Sequence, residues 1–367
     1  MDAIPAPTVE PSQPHHSRRA LTAARSHVQR RALKFVGYTI VAFLVLKLVP
    51  GLKRAVHSLE HVAWQWVLGA LALELLSEFG FVISWRSIVD PGNLLERDGR
   101  GRRTATRAAW AQLGGGMLVP GGSLASIGVG AWILRHFGMP APTIAQRQFN
   151  LSFLNTAVDA LALIVFGIGL GTGAFAGERN PTLTLLPAGI AAIGLVAALL
   201  GARRVERLDG QERSKHPKLA SLLASVGGAV EDTRRTLFHR SGCTSSVGAL
   251  AYLAFDALVL WTAFFAVHAN PVPNFAVVVM AYIIGALGGS IPLPANIGAV
   301  GGMVGMLILY GVGHSVAVPA VLLYEAVGLL VPTTGGAIAY LFLRRQLGPM
   351  RDMDDQTGGG VSTGQAR

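Results

Sequence analysis

The sequence predicts an all-α, polytopic membrane protein of about six full spans plus two opposed re-entrant helical hairpins in an inverted repeat. Three observations predict it. Charged residues make up only 14% of the 367-residue chain, against about 25% in soluble domains, and mean hydropathy is +0.47. Apolar runs long enough to cross a bilayer, which takes about 20 residues, recur along the chain. Two further apolar regions are broken by glycine and proline, and each has to return to the side it came from.

In chain order, residues 1–30 read as a disordered cytoplasmic arm, rich in Pro, His and Arg, with no signal-peptide pattern. A transmembrane domain is expected over 31–345, with unbroken apolar runs at about 33–50, 62–85, 147–171, 182–202, 246–268 and 316–343. Arginine and lysine orient the set, because cytoplasmic loops carry the positive excess. The lead segment has Arg18, Arg19, Arg25, Arg30, Arg31 and Lys34, so the N-terminus is placed inside. The loop 86–107 carries six arginines against Asp90, Glu96 and Asp98, and is also inside. So is the cytoplasmic loop 203–241, and Arg344 and Arg345 put the end of the last run inside. The polar, Gly-rich tail 346–367 is expected to be disordered and cytoplasmic. Connections 172–181 and 269–274 carry almost no net charge and are assigned to the outside.

The broken regions, about 108–138 and 275–313, then start and finish on the same face, the first inside and the second outside. They read "MLVPGGSLASIGVGAWILRHFGMP" and "PLPANIGAVGGMVGMLILYGVG", each a proline turn, small residues, an apolar helix and a closing glycine. Similar units of opposite orientation are the plan of many transporters. Non-helical backbone survives at membrane depth only inside protein or beside water. Pro120, Gly121, Gly122, Pro294, Asn296 and Gly298 are therefore candidates for a central lipid-binding site, where a helix start offers free N–H groups to an anion. Tight kinks that merely allow close helix packing are the plainer reading of either turn alone.

Carboxyl side chains inside spans face the bundle interior or a water-filled cavity. Glu74 and Glu78 lie one turn apart in "LELLSEFG", and two such acids in low dielectric are not both ionised. That pair is open to proton coupling and equally to structural hydrogen bonding. Asp159 and Glu325 follow the two hairpins and join the candidate lipid-binding set, whereas Asp256 reads as structural. Arg135 could meet a lipid phosphate at the cytoplasmic side, or simply obey the inside-positive bias. Trp64, Trp66 and Trp85 are expected as interfacial anchors, and Cys243 as a small apolar filler. No nucleophile elbow, zinc-protease pair or phosphate loop occurs, so no enzymatic activity, cofactor or metal is expected. The formal charge of +11 falls in short runs flanking apolar segments, which excludes a nucleic-acid module.

Residues of about 30–345, with "QLGGGMLVPGG", Asp159 and "PANIGAVG" as the matching elements, resemble the lysylphosphatidylglycerol synthase transmembrane-region family of flippase-like proteins. The resemblance implies an inner or plasma membrane protein that handles an anionic or glycosylated lipid in cell-envelope biogenesis. The alternative is a non-catalytic accessory subunit of a glycosyltransferase or other envelope-lipid enzyme. Membrane lipids are the expected partners, with such an enzyme and a second copy of the chain as further candidates. The family's Glu-Arg ahead of the aspartate falls here on Asn155 and Thr156, its late glutamate on Gly301, and its helix arginine on Glu325. The soluble aminoacyl-transferring domain of full-length synthases has no expected counterpart.

Overall fold

The computed structural model describes residues 62–97, 103–118, 122–177, 180–205, 240–288 and 297–347, and among them every regular element is a helix. In order these are α1 (Trp64–Val89), α2 (Leu94–Arg97), α3 (Thr104–Leu118), α4 (Gly122–His136), α5 (Ala141–Gly171), α6 (Pro181–Val205), α7 (Arg240–Ala266), α8 (Phe275–Gly288), α9 (Ile297–Leu309) and α10 (His314–Leu347). The N-terminal arm, the first apolar run, most of the 203–241 loop and the tail lie outside the described residues, as do Pro120, Gly121, Pro294 and Asn296.

Five of these helices, α1, α5, α6, α7 and α10, are long and apolar enough to cross a membrane, and the chain is a multi-pass membrane protein. They coincide with the five expected runs that fall among the described residues. Helix α5 starts several residues earlier than the apolar pattern does, because Pro140 and Pro142 set up its first turn and carry the polar stretch "QRQFN" into the helix. Leu75, Leu76, Phe79 and Ile83 of α1 are exposed, as are Ile190, Ile193 and Val196 of α6 and Leu329, Leu330 and Ile338 of α10. In water such faces would be untenable; in lipid they are the solvent-facing side.

Both broken regions are helical hairpins. Their arms have 15 and 15 residues in the first and 14 and 13 in the second, so each arm is about 20 Å long against a hydrocarbon core of about 30 Å. Within the first, a side chain at Gly115 would meet Val129, so the arms run antiparallel. Within the second, Gly285 lies against Gly302 and Met303, and Gly288 against Gly298. A Cβ on Gly285 would stand 2.5 Å from the Met303 nitrogen, so only glycine permits this approach. The second arms also end alike. Gly138 (φ +79°) and Gly311 (φ +82°) take the left-handed conformation just past α4 and α9. In each case the next N–H reaches back five residues, Met139 to the Leu134 carbonyl and Val312 to the Leu307 carbonyl, which is how a Schellman cap closes a helix.

Helix α1 packs most extensively on α7, antiparallel along its whole length. The Ala63 N–H donates to the Ala266 carbonyl (3.0 Å) at one end, the Ser77 hydroxyl to the Tyr252 carbonyl (2.9 Å) near the middle, and the Ser84 hydroxyl to the Ser245 carbonyl (2.8 Å) toward the other. Gly80 and Gly248 let the two backbones approach closely: a Cβ on Gly80 would stand 2.6 Å from the Tyr252 nitrogen and one on Gly248 2.8 Å from the Gly80 carbonyl. The remaining neighbours pair off across this axis. As α3 packs on α10, so α8 packs on α5; as α1 touches α5, so α7 touches α10; and α4–α5 corresponds to α9–α10. Helices α2 and α6 stand outside that correspondence.

The two ends of the bundle differ in charge. Arg86, Arg97, Arg103, Arg107, Arg135, Arg147, Arg344 and Arg345 all belong to the end where α1 finishes and α3 starts. There Arg86 pairs with Glu96 (3.1 Å), Arg147 donates to the Val89 carbonyl (2.7 Å) and Arg107 lies over the Phe342 ring. The opposite end is held by apolar and neutral contacts, among them Trp261 Nε1 to the Pro273 carbonyl (3.0 Å) and the Tyr310 hydroxyl to the Leu183 carbonyl (2.8 Å). The first hairpin opens at the basic end and the second at the neutral end.

Candidate functional site

Midway along the bundle, between the ends, the long helices bring their acidic residues together. Glu74 and Glu78 are one turn apart on α1, and the spacing of four puts them on one face. That face is turned to α7 and α10, leaving Glu74 4% and Glu78 2% exposed. Asp256, 8% exposed on α7, lies within electrostatic reach of both glutamates and of Asp159 on α5. Gly328 of α10 faces Glu74, and a Cβ there would come 3.8 Å from its Oε1.

Tyrosines complete the cluster. The Tyr282 hydroxyl, on the first arm of the second hairpin, donates to Asp256 Oδ2 at 2.7 Å, and Tyr324 on α10 bonds the same carboxyl. The rings of Tyr282 and Tyr324 meet edge to face with centroids 6.1 Å apart. Tyr252, one turn before Asp256 on α7, lies in reach of Glu74, Glu78, Asp159 and Asp256. Asp256 therefore has two hydroxyl donors, whereas Glu74 Oε2 and Glu78 Oε2 are buried without a hydrogen-bond partner among the described residues. Glu325 is half-buried beside Tyr324 and acts on it electrostatically. Every described lysine or arginine lies toward the ends of the helices, away from this mid-depth set.

The expected site residues thus divide. Glu74, Glu78 and Asp159 converge, and Glu325 borders the same group. Gly298 sits in the first turn of α9 against Gly288, and Gly122 opens α4. Arg135 is exposed at the basic end and does not join the cluster. Asp256 is structural in having two hydrogen bonds, yet it is also the residue on which the other acids converge. Sequence reasoning passed over the three tyrosines. Their signal was position: tyrosine in membrane proteins favours the interface, but Tyr252, Tyr282 and Tyr324 lie well inside apolar helices.

Two expectations need correction. Trp85 is not an interfacial anchor. It is fully buried, and its Nε1 donates to Gln112 Oε1 (2.8 Å), which in turn pairs amide to amide with Gln148 (2.9 Å). An indole N–H inside a bundle needs an acceptor, and this glutamine pair supplies it where α1, α3 and α5 meet. Cys243, expected as a filler, is exposed. Of the positions where the resemblance implied a change, Thr156 bonds back to the Ser152 carbonyl on its own helix (2.9 Å), and Gly301 is exposed, with open space where a side chain would begin.

Fold and site together define a multi-pass helical membrane protein with paired helical hairpins and a buried carboxyl–tyrosine cluster. The family model of the lysylphosphatidylglycerol synthase TM region matches residues 34–336, and the chain belongs to that family. Membership ties it to lipid and envelope processes of the membrane. No curated protein matches the chain.

Proposed function

We propose that this protein moves an amphiphilic lipid, anionic or glycosylated, between the leaflets of the inner or plasma membrane. The carrying observation is that two hairpins, opening at opposite ends of the bundle, both run toward the depth of the carboxyl–tyrosine cluster. With the arginine-rich end cytoplasmic, as the positive-inside rule requires, the first hairpin is re-entrant from the cytoplasm and the second from outside. The C-terminal end of α10 is then cytoplasmic. The antiparallel α1–α7 axis and the matched neighbour pairs support reading the halves as an inverted repeat.

The chemistry of the centre favours the glycosylated class. Carboxylate and phenol oxygens accept hydrogen bonds from sugar hydroxyls, while clustered carboxylates repel a bare phosphate. Helices α4 and α9 begin at the hairpin turns, and their free N–H groups suit the phosphate of the same lipid. The apolar outer faces accommodate its chains. The test is reconstitution of the purified protein in vesicles with fluorescent glycolipid and phospholipid reporters in one leaflet. Protein alone should accelerate crossing, and Gly288→Leu should abolish it by blocking the approach of α8 to the Gly298 backbone of α9. Unaided crossing rates combined with copurification of a glycosyltransferase would instead favour the accessory-subunit reading.

A further inference from the structure

We infer that Glu74, Glu78 and Asp256 form a buried proton-binding site, holding at least one exchangeable proton within the bundle. Three features carry this. The carboxyl groups come from facing helices and lie within electrostatic reach of one another, with no described lysine or arginine at that depth. The oxygens of Glu74 and Glu78 that lack partners are on side chains more than nine-tenths buried. An ionised carboxylate left in that condition is costly, whereas a protonated one can donate to a neighbouring carboxylate. No group of three His, Cys, Asp or Glu among the described residues is arranged to hold a metal ion.

The groups facing the site are all acids or phenols. From α7 come Tyr252 and Asp256, from α8 Tyr282, from α10 Tyr324 and Glu325, and from α5 Asp159. The charged residue of α3, Arg107, is occupied over Phe342 at the basic end. Asp256 is held by Tyr282 and Tyr324 as an acceptor, so the proton belongs to the α1 glutamates. The proton comes from water and returns to it; no other bond changes. Because Tyr282 is on the second hairpin, the state of this site is linked to how that hairpin is seated against α7.

This does not depend on lipid movement, and its test needs no substrate. Infrared spectra of the full-length protein in vesicles are recorded at neutral pH for wild type, Glu74→Gln, Glu78→Gln and Asp256→Asn. The expected result is a protonated-carboxyl C=O band in the wild type that shifts in D₂O, fades at alkaline pH, and is lost in Glu74→Gln or Glu78→Gln. Absence of the band from the wild type overturns the inference even if a variant fails to fold. A band unaffected by either glutamine substitution overturns it as well, and a band removed by sodium at constant pH overturns the proton as occupant.

Discussion

At the scale of single residues, the buried polar groups are the most exposed to test. Trp85, Gln112 and Gln148 form a small closed network, and Trp85 contributes one donor to it. Trp85→Phe keeps most of the packing but removes that donor from a buried amide, which costs about 1–3 kcal/mol. Thermal unfolding in detergent should show a lowered midpoint, and an unchanged midpoint would mean the bond is not made. Asp256 makes the corresponding case at mid-depth. Tyr282→Phe deletes a hydrogen bond to a charged group, worth about 1.5–3 kcal/mol, and should destabilise the protein more than Tyr340→Phe. Tyr340 offers only ring contact to Trp132 among the interactions described for it.

At the scale of the helix, glycine does two different jobs. Gly285 is needed because α8 and α9 touch backbone to backbone, and an added Cβ would stand 2.5 Å from the Met303 nitrogen and 2.7 Å from its Cα. Gly285→Ala should therefore destabilise by about 1–3 kcal/mol, the usual cost of overpacking. Gly301 lies on the other face of α9, where nothing stands within 4 Å. Gly301→Ala should be neutral or stabilising by up to about 1 kcal/mol, through helix propensity alone. Unfolding of the two variants side by side checks both expectations, and equal effects would contradict the hairpin packing. The same logic makes Gly114, with a hypothetical Cβ 2.6 Å from the Pro332 carbonyl, a close backbone contact of α3 with α10.

At the scale of the whole molecule, the separation of charge between the ends makes a topological prediction. With Cys243 replaced, single cysteines at the exposed positions Arg103 and Gln346 should react with an impermeant maleimide only from the cytoplasm. Cysteines at His268 and Gly313 should react only from outside. Labelling of Arg103 and Gly313 from the same side would refute the opposed hairpins.

Much of this architecture was readable before any coordinates. Composition and the length of apolar runs give membrane spans directly, since lipid leaves the backbone almost no alternative to a helix of about 20 residues. The pairing of short helices within the two broken regions was readable as well, because proline and glycine interrupt each apolar run near its middle and arginine bias led to the expectation that each returns to its own side. The glutamates of α1 stood out for the same reason: a carboxyl in an apolar run is an anomaly in a one-dimensional string. What the string could not decide is which anomalies meet. Tyr282 lies 26 residues from Asp256 and Tyr252 lies 175 from Ser77, and only the antiparallel packing of α1 on α7, with α8 and α10 alongside, brings their groups to one depth. Trp85 could equally have faced the interface; its inward turn was set by Gln112 and Gln148 on other helices. Local chemistry determines that a segment must be a helix in lipid. Which of its faces is buried, and against which partner, is a property of neighbours remote in sequence, and only the tertiary structure supplies them.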